Sequence, residues 1–208
     1  MSNLDEMELN SDSQTNQKKK IAVLIDAENL RKAMTTNLKP DYKSIFSCLK
    51  KIYNSDDVDL VYFVGYLKKY NIKSHFETNF FYTIKSHLEN IASIGFKIKK
   101  KETHFVTEEQ KLNCQSCNYL NIKKTRKPKA NVDTDTIHFI YQNWENCDEF
   151  SLLSNDGDFF STVETLIKNA KFRNYISVNS KCSKIYDTLA LSQRINLSQE
   201  IDKLNIIF

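Results

Sequence analysis

Strand-like and helix-like segments alternate along almost the whole of this 208-residue chain. A chain built that way buries its strands most readily in a parallel sheet covered by helices. Ile21-Ala-Val-Leu-Ile25 is a continuous apolar run, the kind that is buried on both faces of such a sheet. The segment AENLRKAM after it looks helical, and residues 41–53 set Ile45, Leu49, Ile52 and Tyr53 at helical spacing. Val58-Asp-Leu-Val-Tyr-Phe-Val64 reads as a second strand. Phe76, Phe80, Ile84, Leu88 and Ile91 then recur at three and four, which predicts one amphipathic helix over 73–93. Phe96–Lys99, residues 150–154 and Tyr175–Val178 supply three further strands, with helices over 133–144, 159–170 and through Leu191 between and after them. The expected fold is α/β, a mostly parallel sheet of about five strands flanked by helices. It occupies residues 20–208, behind a polar, low-aromatic tail at 1–19 that reads as disordered. Residues 100–130 interrupt the alternation and read as a loop-rich insert.

Composition narrows the setting. No uncharged apolar run approaches the length of a membrane span, and the first twenty residues lack a signal-peptide core, so a soluble, cytoplasmic protein is expected. Five cysteines, an odd number, fit free thiols in a reducing compartment better than a disulfide framework. The net charge of +4 is unevenly spread: Lys97–Lys129 holds ten Lys or Arg and three Glu, so that window carries +7 and the rest of the chain −3. A local basic surface of this kind suits a polyanionic partner.

Carboxylates gather at the junctions. Asp26 closes the first strand, and the stretch FSLLSNDGDFF runs the fourth strand into Asp156 and Asp158, which flank Gly157. Taken alone, such a turn needs no more than an Asp as helix N-cap or Asx-turn residue. Functional groups of open α/β sheets nevertheless collect beyond the carboxyl ends of the strands. If the first and fourth strands are neighbours, their acids repel unless a cation lies between them. Asp133, at the start of a helix whose expected buried stripe is Ile137, Ile140, Tyr141 and Trp144, would add a further acid beside the sheet. Hard oxygen donors of this kind suit Mg²⁺ or Mn²⁺.

The motifs Ile25-Asp-Ala-Glu-Asn29, Ala130-Asn-Val-Asp133 and Ser154-Asn-Asp-Gly-Asp-Phe159 resemble those of NYN domains, the LabA-like branch of the PIN-like ribonuclease fold, over about residues 20–192. The resemblance implies a Rossmann-like sheet and metal-dependent cleavage of RNA. It implies Asp26, Asp133, Asp156 and Asp158 as the catalytic and metal-holding acids, with Asn29 and Ser154 in support. Many members carry another carboxylate six positions beyond the one matched by Asp133. That position is Phe139 here, and Asp135 is the nearest substitute. Two family glycines are replaced by Asn131 and Asn155, the next most tolerant residue type for positive φ. The alternative is a catalytically inactive RNA-binding or protein-interaction module on the same fold.

Beside an acidic metal site, Lys123, Lys124, Arg126, Lys127 and Lys129 are the expected RNA-binding residues; Tyr119 and Phe105 are candidates for base stacking, although aromatics this common in the chain are more often core. Cys114 and Cys117 form a single CxxC, half of a tetrahedral zinc site, with His104 the candidate third ligand and Cys147 or Cys182 the fourth. No second CxxC completes it, so free thiols are expected. His75, His87 and His138 have no acidic or nucleophilic companion at motif spacing. With three glycines and no lysine motif, a phosphate-cradling loop is excluded, and Asp26-Ala-Glu28 lacks the DxD of haloacid-dehalogenase phosphatases. Nothing in the sequence excludes a homo-oligomer.

Overall fold

The structure, a computed structural model, describes residues 18–34, 41–54, 57–68, 72, 75–113, 120–178 and 185–205. The chain opens with β1 (Lys20–Asp26), α1 (Ala27–Met34), α2 (Tyr42–Ile52), β2 (Asp57–Tyr66), α3 (His75–Ile94) and β3 (Lys97–Glu102). Two long strands follow, β4 (His104–Asn113) and β5 (Leu120–Lys129), and then α4 (Val132–Gln142) and β6 (Glu149–Leu153). A single 3₁₀ turn at Gly157–Phe159 leads into α5 (Phe160–Lys168), β7 (Phe172–Ser177), α6 (Ile185–Thr188), β8 (Arg194–Asn196) and α7 (Leu197–Asn205).

Six strands form one sheet in the order β3-β2-β1-β6-β7-β8, and each of its neighbouring pairs is parallel. β1 lies at the centre, paired along its length with β2 on one side and with β6 on the other, Ile25 opposite Leu153. Its unbroken apolar run has a simple cause, because alternate residues point into two separate cores. Ile21, Val23 and Ile25 join the cluster under α1, α2 and α3, with Leu30, Leu49 and Ile91. Ala22 and Leu24 face Val132, Ile140, Phe159 and Val163 on the side of α4 and α5. Both faces are covered, so no polar residue is tolerated on either.

Where the sheet differs from the sequence reading, the reasons are local. β8 is a sixth strand of three residues, too short to show a pattern, and α6 and a 3₁₀ turn replace the longer helix expected through Leu191. α7, which closes over α2, buries Leu197 and Ile201, a helical spacing that the sequence reading does not take up. The segment read as a loop-rich insert is an antiparallel β-ribbon, with β4 and β5 paired without a break from His104–Lys129 to Asn113–Leu120. A two-stranded ribbon has no core beneath it, so charge can occupy both of its faces and the usual apolar alternation is missing. On α4 the buried residues are Val132, Thr136 and Ile140, while Tyr141 is 63% exposed and stacks on Trp144 with ring centroids 6.3 Å apart. The expected stripe is therefore rotated by about a residue, and Thr136 is accommodated by donating to the Val132 carbonyl at 3.0 Å.

Among the described residues no helix is long and apolar enough to cross a membrane. The tail at 1–17, the CxxC residues Cys114 and Cys117, Cys182 and Tyr119 lie outside the described residues. Cys48 and Cys147 are buried free thiols, both held above the ordinary thiol range chiefly by burial, Cys48 to about 11.

Candidate acidic site at the strand ends

β1 and β6 are parallel neighbours, so the residues that follow them emerge side by side at one edge of the sheet. Asp26 is the last residue of β1 and only 5% exposed. Its carboxylate Oδ1 accepts the backbone amides of Glu28 (3.0 Å) and Asn29 (3.1 Å), which makes Asp26 the cap of α1. Its Oδ2 accepts the side-chain amide of Asn29 and the hydroxyl of Ser154 at 3.3 Å. Four donors thus meet one carboxylate, about as many as its lone pairs admit.

Ser154, fully buried just past β6, ties the two strand ends together. Besides donating to Asp26, its oxygen accepts from Asn29 Nδ2 at 3.2 Å and from the Asp156 backbone amide at 3.0 Å. Asp156 then caps the 3₁₀ turn by accepting from the Asp158 amide at 3.0 Å, and its own carbonyl accepts the Tyr175 hydroxyl at 2.9 Å. Asp156 therefore does fill the capping role that the bland sequence reading assigns to it, through one oxygen. Its second oxygen accepts no hydrogen bond among the described residues.

Asp133 sits in the first turn of α4, half-buried. Burial first, and then the negative charges of Asp26, Asp156 and Asp158, hold its carboxyl above the ordinary aspartate range. That dependence places Asp133 within the field of the other three acids. Asp133 and Asp158 have no ion pair or side-chain hydrogen bond among the described residues. Asp135 behaves differently. It is joined to Lys101 of β3 at 2.9 Å and is not among the charges felt by Asp133, as expected for two positions that diverge around a helix. Phe139 fills the place of the further family acid by packing edge-on against Phe63 (5.7 Å between centroids), with the Lys99 ammonium 5.5 Å above its ring.

Among the described residues no three carboxylates, histidines or cysteines are drawn close enough to enclose a metal ion. The donor set nonetheless suits a hard divalent cation: it is all oxygen, it is partly withdrawn from water, and its mutual repulsion is relieved by no basic side chain in contact. The other candidates do not join it. His104 opens the ribbon and is exposed, Lys129 is exposed at the ribbon's base, and Lys124 is exposed and paired with Glu109 at 2.8 Å. For Lys123, Arg126 and Lys127 the structure gives backbone positions in β5, opposite Gln110, Thr107 and Val106. Phe105 is half-buried and packs against Phe80 (6.1 Å between centroids), so it serves the fold instead of a base. His87 is half-buried against Tyr62, and His138 is exposed on α4.

Two backbone expectations are corrected. Asn131 has φ −88°, and the positive-φ residues among those described are Ala170 and Gly95, so neither Asn131, Asn155 nor Gly157 uses left-handed freedom. Asn155 instead accepts the Val178 amide on its side-chain oxygen at 3.3 Å, stitching the end of β6 to the end of β7. Sequence reasoning also misses Tyr175 as a support of the Asp156 turn, because an aromatic residue in an apolar strand carries no signal beyond core.

A family model described as NYN domain matches residues 20–186. No curated protein matches the chain. Among solved structures, a protein of unknown function from Vibrio parahaemolyticus aligns with 16% identity at a TM-score of 0.58, over 90% of this chain and 98% of that one, and shares its fold. Two structures of bacteriophage T5 flap endonuclease also align. One, a complex with DNA and metal ions, has 13% identity, a TM-score of 0.39 and coverage of 76% of this chain and 55% of that one. The other, co-crystallised with metal ions, has 12% identity, a TM-score of 0.41 and coverage of 90% and 75%.

Proposed function

Because the chain belongs to the NYN domain family, and so carries a PIN-like nuclease fold, we propose that it is a divalent-metal-dependent endoribonuclease. The observation that carries the proposal is the meeting of Asp26 and the Ser154–Asp158 turn at the ends of adjacent parallel strands, with Asp133 burdened by the charge of both. Structural acids are ordinarily neutralised, as Asp135 is by Lys101. Leaving Asp133 and its neighbouring acids without a basic partner among the described residues costs stability and is intelligible if a cation completes the set.

Asp26, Asp133 and Asp156 would hold Mg²⁺ or Mn²⁺, with Asp158 orienting water or holding a second ion. A bound divalent ion lowers the pKa of water and stabilises charge on a scissile phosphate. The chain's own part is positioning. The α1 amides and Asn29 fix the plane of the Asp26 carboxylate. Ser154, whose hydroxyl can turn away, is the donor most readily given up when a ligand needs a lone pair of Asp26. Tyr175 and Ser154 hold the Asp156 turn from opposite sides. The basic residues of β5, Lys123, Lys124, Arg126, Lys127 and Lys129, would supply phosphate affinity. Work on RNA in a reducing cytoplasm agrees with the free buried thiols.

A second reading, an inactive RNA-binding module on the same fold, is favoured by Phe139, whose ring and overlying Lys99 stand where many relatives carry an acid. One experiment separates them. Purified protein is incubated with RNA in Mn²⁺, Mg²⁺ or chelator, alongside Asp156→Asn. The nuclease reading expects cleavage by the wild type with metal alone and none by the variant. Because Asn caps a turn about as well as Asp, a purely capping Asp156 predicts no change. Cleavage by Asp156→Asn at the wild-type rate would refute the assignment, and binding without cleavage in any divalent ion would establish the second reading.

A further inference from the structure

We propose that the β4–β5 ribbon is a phosphate-reading arm whose ligand is double-helical RNA, so that the acidic site receives a stem and not a free single strand. The choice of RNA rests on the ribonuclease reading above; the preference for a helix rests on the ribbon itself.

The ribbon is rigidly seated at its base. Thr103, buried, donates its amide to the Tyr66 carbonyl at 2.7 Å, and Phe105 packs on Phe80 of α3. Gly65 lies so close beneath that a Cβ there would come within 2.7 Å of Thr103 Oγ1 and 2.8 Å of the Ala130 Cβ. From this base ten residue pairs run outward in unbroken antiparallel register. At about 3.4 Å per residue the arm is roughly 34 Å long. Its second strand returns to Lys129, and α4, with Asp133 in its first turn, begins three residues later at Val132. The arm's root and the acidic site are therefore covalent neighbours.

Its chemistry is one-sided. The two strands carry six basic residues against two glutamates, with five of the six in the seven residues Lys123–Lys129. The ion pair between Lys124 and Glu109 is exposed on both sides and readily exchanged for a phosphate. Across both strands there is one phenylalanine, Phe105, and no tyrosine or tryptophan. Single-stranded nucleic acid is typically held on aromatic platforms that stack successive bases, and the described residues of this arm offer none beyond a ring already engaged by Phe80, Tyr119 lying outside them. Contacts from basic residues to phosphates position a nucleic acid without reading its bases. A continuous ten-pair ribbon that carries charge along its length is matched by a continuous phosphate track, and helical RNA is recognised through shape and backbone in this manner. An arm of about 34 Å laid along a duplex passes on the order of twenty phosphates.

The test is fluorescence anisotropy of the full chain in chelator, which stops cleavage, so that binding is read independently of whether the protein is a nuclease. The two probes are an RNA hairpin with a stem of about twenty base pairs and an unstructured RNA of the same length and charge, titrated over a range of salt. The hairpin is expected to bind at least about tenfold more tightly, with affinity falling steeply as salt rises. Replacing Lys123, Lys124, Arg126 and Lys127 together by Gln should flatten the log–log salt slope by roughly 3 to 4, about 0.9 for each phosphate of a double helix that the arm no longer neutralises. Equal affinity for the two RNAs would overturn the proposal with no variant needed. So would an unchanged slope in the fourfold variant, or failure to bind either RNA. A nuclease that cuts only single strands would fail this inference and keep the function, and an inactive protein that holds the hairpin would do the reverse.

Discussion

Replacing Ser154 by Ala removes one oxygen from the place where β1 and β6 are joined, and the cost can be worked from its contacts. Ser154 is wholly buried. The variant deletes a donor to Asp26 Oδ2 and an acceptor for both the Asn29 amide and the Asp156 backbone N–H. Almost no apolar volume is lost, so packing contributes little. Asp26 keeps three of its four donors, and Asn29 keeps its bond to Asp26. The group left without a partner is the Asp156 N–H, which is partly buried. Leaving such a donor unsatisfied costs about 1–3 kcal/mol. For a chain of this size each kcal/mol moves the melting point by roughly 2–4 °C, so a fall of about 2–12 °C is expected in chelator at neutral pH by circular dichroism. The same melt with Mn²⁺ separates a support from a ligand. A metal at a hundred times its Kd stabilises by about 2.7 kcal/mol, and that increment should survive in Ser154→Ala because the acids remain. An unchanged melting point in chelator would refute the hydrogen-bonding account of Ser154. Loss of the Mn²⁺ increment would make Ser154 a metal ligand and not a support.

Asp133→Asn should melt higher than the wild type in chelator at pH 7, because the raised carboxyl makes ionisation of Asp133 unfavourable in the folded state. A raised acid leaves stability intact below the unfolded value and loses it as pH rises through the folded one, so the variant's advantage should vanish in melts below the ordinary aspartate range, and an advantage that persists there would contradict the cause. Ala170, at φ 54° just beyond α5, holds a left-handed conformation that suits glycine. Ala170→Gly should raise stability by about 0.5–1 kcal/mol in urea denaturation, the relief of strain exceeding the entropy glycine adds to the unfolded chain, and a lower midpoint would show that it does not. Tyr53→Phe should cost about 1–3 kcal/mol by the same assay, since its buried hydroxyl serves both Ser151 (2.8 Å) and Asn174 (3.2 Å). With a single CxxC in the sequence, purified protein should hold less than one zinc per chain and keep its fold in chelator, which elemental analysis and circular dichroism would check.

The parts of this fold that are legible in the sequence are those where burial imposes a period. β1, β2 and β6 are buried on both faces and so read as largely apolar runs, β7 shows through Tyr175 and Ile176, and α3 is long enough for its spacing to repeat. The ribbon is illegible because its strands are specified by pairing with one another and, beyond the packing of Phe105 at its base, the described side chains show no buried face. β8 and α6 are too short for any period to appear. At the site, Asp26, Ser154 and Asp156 are legible because each stands where an apolar run stops. Their adjacency requires the β1–β6 pairing, which no local pattern encodes. Tyr175 and Asn155 are hidden for opposite reasons, one looking like core and the other like a turn, although both anchor the turn that carries Asp156.

The position of β1 at the centre of the sheet has a consequence for the newborn chain. Its first partner, β2, emerges from the ribosome soon after it, but its second, β6, lies more than a hundred residues downstream. Asp26 and Asp156 are 130 positions apart. At roughly 5–20 residues per second, about 7–26 seconds of synthesis separate them. Throughout that interval one edge of β1 is a row of unpaired backbone N–H and C=O groups between mostly apolar side chains, and the two carboxylates have not met. Any chemistry they perform together is therefore withheld from the message being translated until the chain is nearly finished, and the same interval is when the half-built sheet is most exposed to pairing with the wrong strand.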